Sequence, residues 1–179
     1  GEVPDDTGDM TVLQAPLTKL GCFSTTHATL FHAIGALDKV SLVTTDKDKW
    51  HIEQVAQQIE DGTTTYVGKN SAPDYELISA AAPQIILISA NTMHGSDEVL
   101  AKLDELGIPY IADSQHLENH PLGRVEWVKL VGALLDMEEE ADAYFDEEVQ
   151  RVNAVAESVA GESEHPTILQ TYIFKGTVY

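Results

Sequence analysis

The sequence is poor in cysteine and in basic residues, and both shortages restrict the functions that the protein can have. Cys22 is the single cysteine among 179 residues, so the chain forms no internal disulfide; its apolar neighbours predict a small buried side chain. Lys and Arg number 10 against 30 Asp and Glu, which gives a net charge of −20. Such a chain repels phosphates, which excludes nucleic acid as a partner.

Long apolar runs are missing as well. No stretch approaches the roughly 18 apolar residues of a membrane-spanning helix, and no signal-peptide core precedes the first predicted strand. A hydrophobic content of 43% is nevertheless typical of a globular protein. We therefore expect one sizeable core, or one lobe with an extension, and interpret residues 1–16 as a linker or edge segment.

Catalytic motifs are the third absence. The chain has no nucleophile elbow, no P-loop and no glycine-rich dinucleotide fingerprint after its first strand. Neighbouring carboxylates carry little information in so acidic a sequence. Ser24 with a histidine would make a nucleophile and base only in an unspecific arrangement. The sequence therefore predicts a protein that is not an enzyme.

Apolar segments alternate with helical ones along the first two-thirds of the chain. Strands are predicted over 19–24, 40–44, 84–89 and 108–112, and helices over 28–37, 52–59, 74–82 and 97–106. The strands are apolar throughout rather than at every second residue. This favours an α/β fold with a Rossmann-like parallel sheet covered by helices on both faces.

The remainder of the chain changes character. A helix is predicted over 122–135, and a longer one over 138–160 begins with three glutamates that complement the helix dipole. The longer helix would reach roughly 35 Å, which suits a connecting spine. A linker and an apolar strand over 167–174 follow, and we interpret them as the start of a second α/β lobe.

Polar loops follow the predicted strands, where ligands bind in open parallel sheets. These loops bring five side chains that suit transition metals or haem iron within reach of one surface: His27, Met93, His94, His116 and His120. For any single histidine a solvated surface position is the simpler interpretation, but contact of at least one with a ligand is favoured. Lys69 and Arg124 suit either an anionic ligand or a surface ion pair.

Four blocks of sequence, taken in order, carry a resemblance to a known family. They are Tyr66-Val-Gly followed by Pro73-Asp-Tyr-Glu-Leu-Ile and Ala82-Pro-Gln-Ile-Ile-Leu; Leu106-Gly-Ile-Pro-Tyr; His120-Pro-Leu-Gly-Arg-Val-Glu-Trp; and Glu138-Glu-Glu-Ala-Asp-Ala-Tyr-Phe. Together they resemble the solute-binding proteins of ABC importers, in the group that binds iron-siderophores, haem and cobalamin. The likeness runs from about Lys19 to Tyr179.

The resemblance implies two α/β lobes joined by one long helix, with the ligand between them. Residues 17–136 would form the N-terminal lobe, 137–160 the spine helix and 161–179 the first strand of a truncated C-terminal lobe, so that half of the cleft lies outside this sequence. It also implies an extracytoplasmic protein, periplasmic or lipid-anchored upstream of this chain and peripheral to the membrane. Its partners would be an importer permease and a ferric complex, haem or corrinoid, with no intrinsic cofactor.

The same resemblance assigns roles to individual residues. Glu76 would dock against arginines of the permease. Ligand contacts are expected from residues in the loops beyond the strands: Thr25, Thr26, His27, Lys69, Asn70, Asn91, Met93, His94, His116 and Arg124. Asn70 stands where hydroxamate binders tend to carry arginine, and the first loop lacks the methionine of some haem binders. The ligand therefore stays open.

Two alternatives remain at this point. A zinc or manganese transport protein would need three or four ligands converging on one ion, with His94, His116 and His120 as candidates. A flavodoxin-like enzyme would instead hold a phosphorylated substrate at the helix N-terminus after Ser24.

Overall fold

The structure is a computed structural model that describes residues 7–8, 10–90, 96–164, 166–167, 171, 173–174 and 177–178. Its strands are β1 Leu20–Cys22, β2 Val40–Val43, β3 Thr65–Tyr66, β4 Gly68–Lys69, β5 Ala72–Pro73, β6 Ile85–Ser89, β7 Tyr110–Asp113, β8 Ile173–Phe174 and β9 Thr177–Val178. Its helices are α1 Thr25–Ala33, α2 Glu53–Glu60, α3 Tyr75–Ala81, α4 Ser96–Glu105, α5 Pro121–Glu126, α6 Val128–Leu135 and α7 Glu138–Val159.

Five strands form one sheet in the order β3-β2-β1-β6-β7, and every pairing in it is parallel. Leu20 at the start of β1 pairs with Val40 on one side and with Ile85 on the other. The four predicted strands all belong to this sheet, and the predicted α/β fold is confirmed. β3 was missed, because its two residues lie in a polar stretch that shows no apolar run.

Successive side chains of the strands pack on opposite faces of the sheet. One face holds Leu20, Cys22, Ile85 and Leu87 with residues of α1 and α6; the other holds Leu42, Ile86 and Ile88 with residues of α3 and α4. Helices therefore cover both faces, as the continuous apolar strands predicted. Cys22 is buried at 1% exposure, which confirms its predicted place in the core.

The predicted single helix over 122–135 is wrong, since a one-residue turn at Trp127 divides it into α5 and α6. The indole Nε1 of Trp127 donates to Glu118 Oε1 at 3.3 Å, which ties the end of α5 to the preceding turn. The amide of Leu130 then donates to the Trp127 carbonyl three residues back, at 3.2 Å. The helical ladder is therefore interrupted at Trp127, although its backbone keeps right-handed helical dihedrals.

The long helix α7 has 22 residues, as the periodicity predicted, and its first turn carries the three glutamates. Its first half packs against α6, where Lys129 lies 2.9 Å from Asp142 and its ammonium sits 4.6 Å from the centre of the Phe145 ring. The second half is exposed, including Val155 at 66% and Val159 at 56%. In the part of the chain that the structure describes, no helix is long and apolar enough to cross a membrane.

Two short hairpins stand outside the main sheet. β4 and β5 pair antiparallel around Asn70, in a region predicted as a loop, and Gly68 in β4 adopts a φ of +88° that favours glycine. β8 and β9 pair antiparallel near the end of the chain. Half of the strand predicted over 167–174 lies outside the described residues, so its place in a second lobe stays a prediction.

The crossing of α6 and α7 yields a stability prediction at Gly132. A Cβ at this position would lie 2.7 Å from the Cβ of Ala141 and 3.0 Å from the Met137 carbonyl oxygen. We expect Gly132→Ala to lower the free energy of unfolding in urea by about 1–3 kcal/mol, because the two helices must separate. This loss exceeds the roughly 1 kcal/mol that alanine contributes to helix propensity.

Gly123→Ala in α5 is the matched control for Gly132→Ala. Its Cβ would approach only the side chain of Glu118, whose carboxyl oxygen lies 2.9 Å away at the end of a flexible chain. That variant is expected to be at least as stable as the parent protein, because alanine adds up to about 1 kcal/mol of helix propensity. Equal effects of the two substitutions would contradict the assignment of Gly132 to a tight helix crossing.

Candidate functional site

A cleft opens at the carboxyl edge of the parallel sheet, above β1, β6 and β7. Its volume is about 230 Å³, and it is lined by Ser24, Thr26, His27, Ser89, Gln115, His116 and Arg124. Because all five strands are parallel, their following segments meet at this one edge. The cleft therefore forms where the sequence predicts a ligand site, between the start of α1, the end of β6 and the turn after β7.

Four of the predicted ligand contacts line this cleft: Thr26, His27, His116 and Arg124. Thr25 is the first residue of α1 and is exposed beside the cleft without lining it. Lys69 and Asn70 lie in the β4–β5 hairpin, which follows β3 at the same edge of the sheet but lies beyond β2. Asn91, Met93 and His94 lie outside the described residues, so their roles stay predictions.

His27 differs most from its predicted setting. The sequence placed it in a polar loop, but Ser24 caps α1 by accepting the His27 amide at 3.3 Å, which puts His27 in the first helical turn. Its side chain is only 1% exposed, and its Nε2 contacts the carboxylate oxygen Oδ2 of Asp113. The prediction of an open loop histidine is therefore wrong. His27 forms part of the floor of the cleft.

Asp113, the partner of His27, was not among the predicted site residues. It ends β7, is also 1% exposed, and accepts the Gln115 amide through Oδ1 at 3.2 Å. Burial raises the pKa of this carboxyl, but the hydrogen bond and charge of His27, together with the Gln115 hydrogen bonds, outweigh burial and hold the pKa below its usual value. Asp113 is therefore an ionised carboxylate that fixes the orientation of His27.

A signal for Asp113 exists in the sequence, since it follows the apolar residues of β7 directly. An acid at the carboxyl end of a buried strand lies at the ligand-binding edge. With 30 Asp and Glu in the chain, that signal does not stand out.

Arg124 lies in α5 at the side of the cleft and is held by the turn that precedes this helix. Its Nε donates to the Glu118 carbonyl and its Nη2 to the His116 carbonyl, both at 3.3 Å. Within the described residues no carboxylate lies within 4.0 Å of it, whereas Lys129 has one such partner and Arg151 has two. The guanidinium therefore brings a fixed positive charge to the cleft.

The hydroxyl, amide and imidazole groups around Arg124 can all donate hydrogen bonds to anionic oxygen atoms. Ser24, Thr26, Ser89 and Gln115 supply the neutral groups, and His116 supplies an exposed ring. Such a set of donors next to one fixed cation suits the recognition of an anionic solute.

The described residues do not assemble the ligands of a free metal ion. No group of three or more His, Cys, Asp and Glu side chains converges in the part of the chain that the structure covers. His120 instead caps α5, because its Nδ1 accepts the Leu122 amide at 3.1 Å. His116 lines the cleft, and His94 lies outside the described residues.

Ser24 and His27 do not form a nucleophile and base either. The Ser24 hydroxyl oxygen accepts the backbone amide of His27, and the ring Nε2 of His27 is engaged by Asp113. The ring Nδ1 makes no hydrogen bond with any residue that the structure describes. The arrangement orients the imidazole without presenting it to the hydroxyl as a general base.

Glu76 is exposed in the first turn of α3, as the sequence predicts. Asp74 caps this helix by accepting the amides of Glu76 and Leu77 at 3.0 and 3.1 Å, so the helix does not need Glu76 as its cap. Ile78 is fully buried, whereas Leu77 is 40% exposed.

Comparison with known proteins identifies a relative in sequence and solved structures with a similar fold. An uncharacterized lipoprotein of Methanocaldococcus jannaschii is 35% identical over 142 residues, which cover 75% of this chain and 33% of that protein. A periplasmic haem-binding protein from Pseudomonas aeruginosa superimposes with a TM-score of 0.62 at 21% identity, covering 80% of this chain and 47% of the other. The siderophore-binding protein BauB, bound to two acinetobactin molecules and ferric iron, gives 0.62 at 18% identity, with coverages of 86% and 52%.

These coverages mean that the chain spans about a third of the curated relative and about half of each solved chain. The two solved structures share the fold of this lobe. The sequence model that describes periplasmic binding proteins matches residues 22–179, from the end of β1 to the last residue. The resemblance read from the sequence blocks is thereby confirmed, and the chain belongs to the periplasmic binding protein family.

Proposed function

We propose that the protein is the solute-binding component of an ABC importer and that it captures an anionic iron chelate or haem for delivery to the permease. The observation that carries this proposal is the cleft with Arg124, a cation without a carboxylate partner among the described residues of a chain with net charge −20. An attached carboxylate would neutralise this charge, whereas an open guanidinium is available to a ligand.

The ligand class follows from the relatives and from the chemistry of the cleft together. Haem and a ferric siderophore complex are what the two solved neighbours bind. Haem and many ferric chelates carry carboxylate or other anionic oxygens that suit Arg124 and its neighbouring hydroxyls. Asn91, Met93 and His94 are proposed to contact the ligand from the loop after β6, and Lys69 and Asn70 from the β4–β5 hairpin.

The experiment is a titration of the intact protein, followed by absorbance and by tryptophan fluorescence. Ferric siderophores, haem and cobalamin are added separately, with ZnCl₂ and MnCl₂ as free-metal controls. Saturable binding of one chelate, with no conversion of that chelate into product, is expected. Tight binding of zinc or manganese alone, or turnover of any added compound, would contradict the proposal.

The proposal places the protein outside the cytoplasm and at the membrane surface, held there by a lipid anchor upstream of this chain. Two observations support this location. The family is that of periplasmic binding proteins, and the relative from Methanocaldococcus jannaschii is a lipoprotein. Metabolic labelling with a radioactive fatty acid, followed by fractionation, tests the anchor.

Docking to the permease is proposed to use Glu76. Because this carboxylate is exposed and Asp74 already caps α3, Glu76→Ala should leave the melting temperature and ligand affinity almost unchanged. Loss of its pairing with a permease arginine should slow association and lower uptake by about fivefold or more. Uptake of radiolabelled iron chelate by cells that carry the full-length variant is the measurement.

Glu53→Ala is the control for Glu76→Ala, because Glu53 is also an exposed acid in the first turn of a short helix. It lies in α2 and should support normal uptake. Normal uptake with Glu76→Ala, or a loss of ligand binding in that variant, would remove Glu76 as the docking residue.

A further inference from the structure

A second cavity opens beside the cleft, in a groove between α1, α5 and α7. Its volume is about 210 Å³. Its walls are formed by Thr26, Thr29, Leu30, Ala33, Gln115, Arg124, Val125 and Tyr144. Three of these residues, Thr26, Gln115 and Arg124, also line the cleft at the sheet edge. The two cavities therefore share a wall, and Arg124 stands at their junction.

The α1 side of this groove follows from helical periodicity. Thr26, Thr29, Leu30 and Ala33 recur at three- and four-residue steps, which places them on one stripe of the helix. The Thr29 hydroxyl donates to the Thr26 carbonyl at 2.6 Å, so it is satisfied within the helix. Leu30 and Ala33 make this wall apolar toward the C-terminal end of α1.

The opposite wall combines an apolar side chain with one polar tip. Val125 of α5 continues the apolar surface, and Tyr144 of α7 brings its ring and phenol. Burial, and after it the negative charge of Glu148, raises the pKa of Tyr144, so its hydroxyl stays protonated at neutral pH. The groove therefore offers apolar walls, the hydrogen-bonding groups of Tyr144, Thr26 and Gln115, and a cation at its mouth.

The volume limits what the groove can take. An apolar cavity of about 150 Å³ holds one benzene molecule, so a groove of about 210 Å³ has room for one substituted ring. A ring in the groove would leave its acidic substituents next to Arg124. This combination describes a phenolate or catecholate arm of an iron chelate.

We propose that this groove is a second arm of the binding site and that it holds one aromatic ring of an aryl-bearing anionic ferric chelate, whose acidic oxygens meet Arg124. The inference rests on the proposed function and narrows its ligand class. It makes the groove a determinant of specificity, since chelates without a ring would use the cleft alone.

The test compares two probes on the intact protein: the ferric complex of 2,3-dihydroxybenzoate, which carries rings, and ferric citrate, which carries carboxylates and no ring. Ala33→Met and Thr29→Met each place a longer side chain in the groove, the first at its partly buried wall and the second at its exposed lip. Both should weaken the dihydroxybenzoate complex by about tenfold or more and change ferric citrate affinity less than about twofold.

The matched control is His32→Met, which introduces the same side chain at an exposed position of α1 that does not line the groove. It should leave both affinities unchanged. Unaltered dihydroxybenzoate affinity in the two groove variants, or equal weakening of both probes, overturns the groove assignment. A protein that binds ferric citrate or haem but not the dihydroxybenzoate complex also overturns it, while the proposed function stands. A protein that binds no chelate and no haem overturns both.

Discussion

Asp113→Ala is expected to lower the free energy of unfolding by about 1–3 kcal/mol, the usual cost of leaving a buried hydrogen-bond donor without its acceptor. The substitution removes the acceptor of the ring nitrogen Nε2 of His27, whose side chain is only 1% exposed. It also removes the acceptor of the Gln115 amide at 3.2 Å. Urea denaturation of the variant and the parent protein measures the difference.

Asp113→Asn is the control for this effect, because an amide oxygen can still accept the Nε2 proton of a neutral His27 and fills the same space. It should lose markedly less stability than the alanine variant. Equal losses in the two variants would contradict this explanation, because they would show that neither the side-chain volume nor a neutral acceptor can replace the carboxylate.

The same pair predicts a dependence on pH. The pKa of Asp113 is depressed in the folded protein relative to its usual value of 3.8. Its ionisation therefore contributes stability that is fully present above the unfolded pKa and is lost as pH falls through the folded pKa. Between about pH 5 and pH 2 the parent protein should lose stability more steeply than Asp113→Asn. Parallel curves for the two proteins would contradict a depressed pKa at this site.

The sheet could be predicted from the sequence because its signal is local. Four strands are short apolar runs bounded by polar residues, and helical periodicity separates them. The position of the cleft followed as well, since parallel strands must end at one edge. The long helix α7 was equally accessible, because 22 residues of helical pattern admit no other structure.

The incorrect predictions concern features that depend on contacts or backbone conformations which no local sequence pattern reveals. His27 and Asp113 are 86 residues apart, so no local pattern reveals that one buries the other. The interruption at Trp127 coincides with the hydrogen bond from its indole to Glu118, and the apolar period on both sides of it hides the break. The β4–β5 hairpin depends on the positive φ of Gly68 in a polar segment that reads as a loop.

The role of Arg124 could not be predicted from its residue type alone. The sequence allowed it either an anionic ligand or a surface ion pair, and these alternatives were equal. In the structure it has no carboxylate within 4.0 Å among the described residues. It lines both cavities instead. Its two backbone contacts also fix the guanidinium, which lowers the entropy lost when a ligand binds.

Arg124→Ala is therefore expected to weaken the binding of an anionic ferric chelate to the intact protein by about 30-fold or more, as for the loss of a charged partner in a polar site. Arg124→Lys should recover only part of this affinity, because an ammonium cannot make two parallel hydrogen bonds to a carboxylate. Affinity is measured by tryptophan fluorescence at two ionic strengths. The parent protein should bind more weakly at high salt, and the alanine variant should respond less.

Arg151→Ala is the matched control for Arg124→Ala. Arg151 lies on α7 and is paired with Glu147 and Glu148, so its charge is already neutralised, and it lines neither cavity. Its removal should leave chelate affinity within about twofold of the parent value. If both arginine variants weaken binding equally, the effect is a general change in net charge from −20 to −21, and Arg124 holds no ligand. If only Arg124→Ala does so, a fixed cation at the junction of the two cavities is what selects an anionic solute in an otherwise acidic protein.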